Sequence, residues 1–205
     1  MSILGEAENH EFKPHMSDVE YALLKKYTPQ SGTVLEFGAG GSSAHFAESG
    51  VKRLTSVEAD VAWINQLLLG NTTLRKWVKE KRWKPIYANI GPVESWSMPV
   101  DKSPSLDWLN YHQNIWKVID AGDLDLVLID GRFRVACALQ VLLRIGKNDP
   151  TVIIHDFWNR PEYQDLLGFF CVTDKVDTLV VLKKKRRIDW KKVSIHLLDC
   201  MFDYR

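Results

Sequence analysis

Five residues at the ends of two apolar runs carry groups able to bind a substrate and move a proton. They are Asp130, Arg132 and Arg134 in "LVLIDGRFR", and His155 and Asp156 in "TVIIHDF". A histidine titrates near neutrality, and a carboxylate can orient it or take the proton in its place, so the set suits activation of an attacking hydroxyl. The two arginines offer forks of donors to an anionic or hydroxyl-rich substrate. A second constellation is the turn "VLEFGAGGSS" at 34–43. Gly38 and Gly40 fill the first two places of the dinucleotide fingerprint, but Ser43 stands at the third. Glu36, just ahead of the glycines, would repel a pyrophosphate and suits an ammonium or sulfonium ligand. Glu58, ending "TSVE", can accept hydrogen bonds from both hydroxyls of a ribose. S-adenosylmethionine combines a cation with a ribose, and it is the cofactor this pattern predicts.

The elements that must position these residues alternate. Residues 1–29 form an N-terminal helical segment, in which "DVEYALLKKY" follows a Ser17 or Asp18 cap. "GTVLEF" reads as a strand, 42–49 as a helix, "RLTSVE" as a strand, and "DVAWINQLLL" as a helix capped by Asp60. "KPIYANI", "LDLVLID" and "TVIIHDF" read as further strands, with the helix "RFRVACALQVLLRI" between the last two. Strand–helix–strand units of this kind build a parallel sheet covered on both faces, and ligands bind at the carboxyl ends of its strands. "GFFCVTDKVDTLVVLKKK" reads instead as an antiparallel hairpin. The closing "WKKVSIHLLDCMF" fits either a helix or an extended tail. Residues 91–118, with three prolines and three tryptophans, interrupt the alternation and read as an ordered flap over the site. "KKKRR" at 183–187 reads as a solvated edge.

The chain of 205 residues, 45% hydrophobic, suits a single domain spanning 1–205. Its net charge of +1 gives no global attraction to nucleic acid or anionic membrane. Three cysteines without metal spacing suggest reduced thiols in a cytoplasmic setting. No leader pattern and no apolar membrane span is expected.

"VLEFGAGGSS", "TSVEADVAW", "IYANIGPVESW", "LDLVLIDGRFRVACALQVLL" and "VIIHDFWNRPEY" occur in the order of a group of small methyltransferases, some of them linked to glycan assembly. Over residues 30 to 183 the chain resembles the class I S-adenosylmethionine-dependent methyltransferases. The resemblance implies an α/β Rossmann-like three-layer sandwich whose seven-stranded, mostly parallel sheet ends in an antiparallel hairpin. It implies that Glu36, Gly38, Ala39, Gly40, Ser42 and Ser43 surround the methionine part, that Glu58 holds the ribose, and that Asn89 and Ile90 flank the adenine. Asp130, at the carboxyl end of its strand, is expected beside the methyl group and so among the cofactor contacts. Asn89 stands where these proteins usually carry aspartate, and its amide oxygen can still accept from the adenine amino group.

The expected catalytic residues are Asp130, His155, Asp156 and Arg132, and the expected substrate contacts are Arg132, Arg134, His112 and Trp158. The pattern is also similar to that of metal-dependent sugar and catechol O-methyltransferases, which bind magnesium through acids where Asp130 and Asp156 stand. His155 and Arg132 count against that ion here, which leaves a divalent metal on Asp130 and Asp156 as the less favoured alternative. The expected reaction is O-methylation of a sugar hydroxyl in a glycan or nucleotide sugar, yielding S-adenosylhomocysteine. Methylation of another small molecule or of a protein, and noncatalytic cofactor binding, are the alternatives. A nicotinamide oxidoreductase is disfavoured by Ser43 and Glu36.

Overall fold

The computed structural model describes residues 12–205, so the part of the N-terminal segment ahead of residue 12 lies outside the described residues. Strands β1 (Thr33–Phe37), β2 (Arg53–Glu58) and β3 (Trp83–Tyr87) alternate with helices α1 (Asp18–Tyr27), α2 (Gly41–Glu48), α3 (Val61–Gly70) and α4 (Thr72–Lys79). The flap contains a two-stranded hairpin, β4 (Val93–Glu94) and β5 (Met98–Pro99), then 3-10 turns and the short α5 (Leu109–His112). Next come β6 (Leu126–Ile129), α6 (Arg134–Arg144), β7 (Thr151–Ile154), the hairpin β8 (Phe170–Val176) and β9 (Leu179–Lys184), and α7 (Trp190–Cys200).

Seven strands form one sheet in the order β3-β2-β1-β6-β7-β9-β8. The first five run parallel, and β9 is antiparallel to both β7 and β8. Period-two alternation divides the strand side chains between two cores. Leu35, Phe37, Val57, Val127, Ile129, Val152 and Ile154 join one cluster, while Val34, Leu54, Leu126, Leu128 and Ile153 join the other. The first cluster takes in α6 and the flap residues Trp108, Tyr111 and Ile115, and the second takes in Leu24, Phe46, Leu74 and Trp77. Helices therefore cover both faces, as the continuous apolar strands require. The order reverses between β1 and β6, which opens a crevice at their carboxyl ends.

The closing segment resolves as a helix: Asp189 caps α7 by accepting from Lys192 N at 3.1 Å, and Val193 is its buried anchor. The sequence reading omits α4, because only Leu74 and Trp77 of its residues are buried and basic residues fill the remaining turn. Ser17, not Asp18, caps α1, in a capping box with Glu20. The first two residues of the basic run are tied down locally, with Lys183 Nζ donating to Asp149 O at 2.5 Å and Lys184 Nζ to Gly146 O at 2.8 Å, while Arg186 and Arg187 are exposed.

Candidate active site

The turn after β1 and the loop after β6 are pressed together at the crevice. Gly38 has φ +94°, and a Cβ there would lie 2.7 Å from the Gly131 nitrogen, so both the backbone conformation and the contact require glycine. The Tyr111 hydroxyl, donated by the flap, sits against this junction, 3.4 Å from Arg132 N. The outer side of the turn is open: a Cβ at Gly40 would meet nothing within 4 Å.

Glu58 lies where the sequence places it, at the end of β2. Its carboxylate accepts from Ala39 N at 3.1 Å, Ala59 N at 2.7 Å and Asp60 N at 3.0 Å, and also from the Ser97 hydroxyl of the flap. Burial raises its pKa against the opposing pull of these four donors. Asn89 is exposed beyond β3, its side-chain oxygen accepting from Gly91 N at 3.1 Å, and Ile90 is buried beside it.

Glu36 requires a correction. It is fully buried under the first turn of α2, and its oxygens accept from Ser42 Oγ, from Ser43 Oγ at 2.6 Å and from Ser56 Oγ at 2.6 Å. Burial pushes its pKa up to about 7. Glu36, Ser42 and Ser43 thus hold the turn from beneath and do not line the open side. The reason is strand alternation, which turns residue 36 toward α2, together with a helix N-terminus whose hydroxyls it accepts.

The ends of β6 and β7 bring Asp130, Arg134, His155 and Asp156 together. Arg134 is buried and clasps both ends. It donates to Gly131 O at 2.9 Å, His155 O at 2.5 Å, Asp130 O at 3.3 Å and Asp156 Oδ2 at 3.1 Å. Its predicted substrate role is therefore corrected to a positioning role, because its donors are already engaged inside the protein. His155 Nδ1 is 2.9 Å from Asp130 Oδ1, and its Nε2 is 3.4 Å from Glu20 Oε2 of α1. Burial opposes protonation of His155, but the hydrogen bond to Asp130 and the charges of Asp130, Asp156 and Glu20 outweigh it and raise the pKa. Burial likewise opposes ionisation of Asp156, and Arg134, His155 and Arg160 outweigh it to lower that pKa. Asp130 Oδ1 faces His155 and, at 3.4 Å, Arg134. Its Oδ2 takes no partner among the described residues. Two non-glycine residues here lie in the left-handed region, Asp156 (φ 57°) within the cluster and Phe133 (φ 55°) just ahead of Arg134.

Glu20 escapes the sequence reading because it serves as the capping glutamate of a helix some 130 positions away in the chain. Arg160 is missed for the opposite reason: it lies in an irregular loop, yet its guanidinium reaches Asp156 Oδ2 at 3.5 Å. His112 is corrected: fully buried, it bonds Met201 O through Nε2 at 3.0 Å, and burial lowers its pKa to about 4. Trp158 is half-buried at the cluster's edge, packed on Phe157, with the Lys175 ammonium 5.0 Å above its ring. Asp130, His155 and Asp156 offer ligand atoms all within 4.8 Å of one another. Arg134 already supplies positive charge between the two carboxylates, so these residues fit a magnesium ion poorly.

No protein-family model matches the chain, and no curated protein matches it. Its likeness lies in three dimensions. A methyltransferase-like protein from Silicibacter pomeroyi superposes with a TM-score of 0.76 at 24% identity, over 97% of this chain and 100% of its own. The chain has a class I methyltransferase-like fold. The C-terminal domain of precorrin-6Y C5,15-methyltransferase from Rhodobacter capsulatus shares that fold, with a TM-score of 0.54 at 12% identity, over 89% of this chain and 96% of that one. Within the methyltransferase fold, the glycine turn, Glu58 and the Asp130 cluster all lie at the carboxyl edge of the sheet, beside the point where the strand order reverses. No helix among the described residues is long and apolar enough to cross a membrane.

Proposed function

We propose that this protein is a cytoplasmic S-adenosylmethionine-dependent O-methyltransferase acting on a carbohydrate hydroxyl. The observation that carries the cofactor reading is Glu58, whose carboxylate is fixed by three backbone N–H groups and already accepts a hydroxyl hydrogen bond from Ser97. A ribose hydroxyl makes the same bond. The open side of the turn at Gly40 leaves room for a ligand against backbone. When bound, S-adenosylmethionine supplies a methyl group on a positively charged sulfur and leaves as S-adenosylhomocysteine.

The residues of the chain do the rest. Asp130 Oδ2 receives the proton of the acceptor hydroxyl while the oxygen takes the methyl group. Arg134 and His155 hold the other oxygen of that carboxylate and so fix its direction. His155 has both ring nitrogens turned to carboxylates, Nδ1 to Asp130 and Nε2 to Glu20, and acts as a brace and not as the free base.

Calorimetry with S-adenosylmethionine, S-adenosylhomocysteine and NAD tests the cofactor, and absence of binding by both sulfur compounds sinks the reading. Methyl transfer to a glycan panel tests the acceptor, and turnover unaffected by a chelator is expected. Asp130→Asn is expected to lower kcat about 10²- to 10⁴-fold, as loss of a general base does, while leaving S-adenosylhomocysteine affinity nearly unchanged.

A further inference from the structure

Arg132, in the loop between β6 and α6, is only 9% exposed, and its Nε is buried with no hydrogen-bond partner. Its side chain forms no hydrogen bond or ion pair among the described residues. A guanidinium taken from water without an anion is unfavourable, and proteins rarely keep one unless something occupies it. The neighbouring charges are already answered. Arg134 faces Asp130 and Asp156, Arg160 faces Asp156, and His155 lies between Asp130 and Glu20. Asp203, the other acid near Arg160, is held by Arg205 at 2.7 Å.

A second group points the same way. The Tyr163 hydroxyl is buried without a partner among the described residues, and the Arg160 guanidinium lies 5.6 Å from the centre of its ring. Arg132 lies in the loop that follows Asp130 and Arg160 in the loop that follows Asp156, and Arg134 joins the two loops by reaching both aspartates. The unpaired fork of Arg132, two residues beyond Asp130, and the unpaired Tyr163 hydroxyl, with the Arg160 guanidinium shared with Asp156, form an oxyanion-binding set. Phe133, held in the left-handed region, fixes the backbone at the residue next to Arg132.

We propose that Arg132, with Arg160 and the Tyr163 hydroxyl beside it, binds an oxyanion of the acceptor, a phosphate or a carboxylate. The acceptor is then a phosphorylated or acidic sugar. That part rests on the methyltransferase reading above, whereas the anion site does not. The test is thermal unfolding of the full chain in inorganic phosphate, in acetate, and in chloride of matched ionic strength, each with and without S-adenosylhomocysteine. Phosphate or acetate is expected to raise Tm above chloride, and the more effective of the two identifies the group. Arg132→Met is expected to raise the Tm of the unliganded protein and abolish the anion-dependent increment while keeping the increment from S-adenosylhomocysteine. Arg132→Lys keeps the charge should the methionine variant fail to fold, and is expected to weaken the anion effect at least tenfold. An increment no greater than in chloride, or one that survives both substitutions, overturns the anion site. Loss of only the S-adenosylhomocysteine increment in the unsubstituted protein overturns the cofactor reading instead.

Discussion

Glu36 shows how burial converts a strand-end carboxylate into a structural group. Its pKa is raised from 4.5 to about 7 in the folded protein, so the folded state keeps a proton that the unfolded chain releases. The associated stability is present below 4.5 and is lost as pH rises through about 7. Glu36→Gln is expected to flatten that decline, as read by urea unfolding at pH about 5 and about 8. Glu36→Ala leaves the three serine hydroxyls without their acceptor and is expected to destabilise by roughly 3 kcal/mol. His155 adds a decline of the same sign, beginning at a higher pH. Its folded pKa is raised above 6.5, so its contribution is complete below that value and is lost as pH rises through the folded one. Both glutamates of the first motifs are visible in the sequence. Alternation puts both on one face of the sheet, with Glu36 bonded to its register partner Ser56, and what separates the one beneath the turn from the one at its edge is that Glu58 stands one place past the last pair of β1 and β2, Phe37 and Val57.

At the scale of elements, α1 and the flap each lend a residue to the site. Glu20 closes the capping box with Ser17, whose N donates to Oε2 at 2.9 Å, and its Oε1 accepts from Thr178 N at 2.9 Å. Glutamine also completes a capping box, so Glu20→Gln can keep the helix cap while removing the negative charge beside His155, although its single oxygen no longer accepts from both Ser17 N and Thr178. It is expected to lower the His155 pKa, measured by NMR titration, and to reduce kcat about tenfold with cofactor affinity unmoved. A variant with the pKa of the unsubstituted protein would show that the brace stands without Glu20. The flap hairpin turns through two consecutive left-handed residues, Trp96 (φ 62°) and Ser97 (φ 56°), and so delivers the Ser97 hydroxyl to Glu58. Because that hydroxyl and a ribose would compete for one carboxylate, Ser97→Ala is expected to tighten S-adenosylhomocysteine binding roughly fivefold by calorimetry. Weakened binding would mean that Ser97 contacts the cofactor directly. The interruption of the strand–helix alternation at 91–118 is legible from its length and aromatics. Its turn is not, since neither a tryptophan nor a serine signals φ > 0.

For the whole molecule, the C-terminal residues complete the layer that carries the flap. Tyr204 O accepts from Phe133 N at 3.4 Å, Met201 O bonds His112, and the Tyr204 ring meets Trp108 edge-on at 5.7 Å between centroids. Removing residues 201–205 is expected to destabilise the protein by about 2–4 kcal/mol and to loosen the Arg132 loop. Urea denaturation reads the first effect, and amide exchange at Phe133 reads the second. An unchanged midpoint would show that the tail adds nothing to the fold.

By itself, the sequence determined the alternation of strands and helices, the parallel sheet with its terminal hairpin, the glycine turn, and the clustering of Asp130, His155 and Asp156 at strand ends. Those features are local: a period of two or 3.6, a turn residue, a strand's last position. Only the tertiary structure decided which of two neighbouring arginines is engaged and which is free, that Glu20 reaches His155 across the molecule, and that His112 turns away from the site. These depend on contacts between residues distant in the chain, where packing and charge balance set the outcome and no short-range pattern records it.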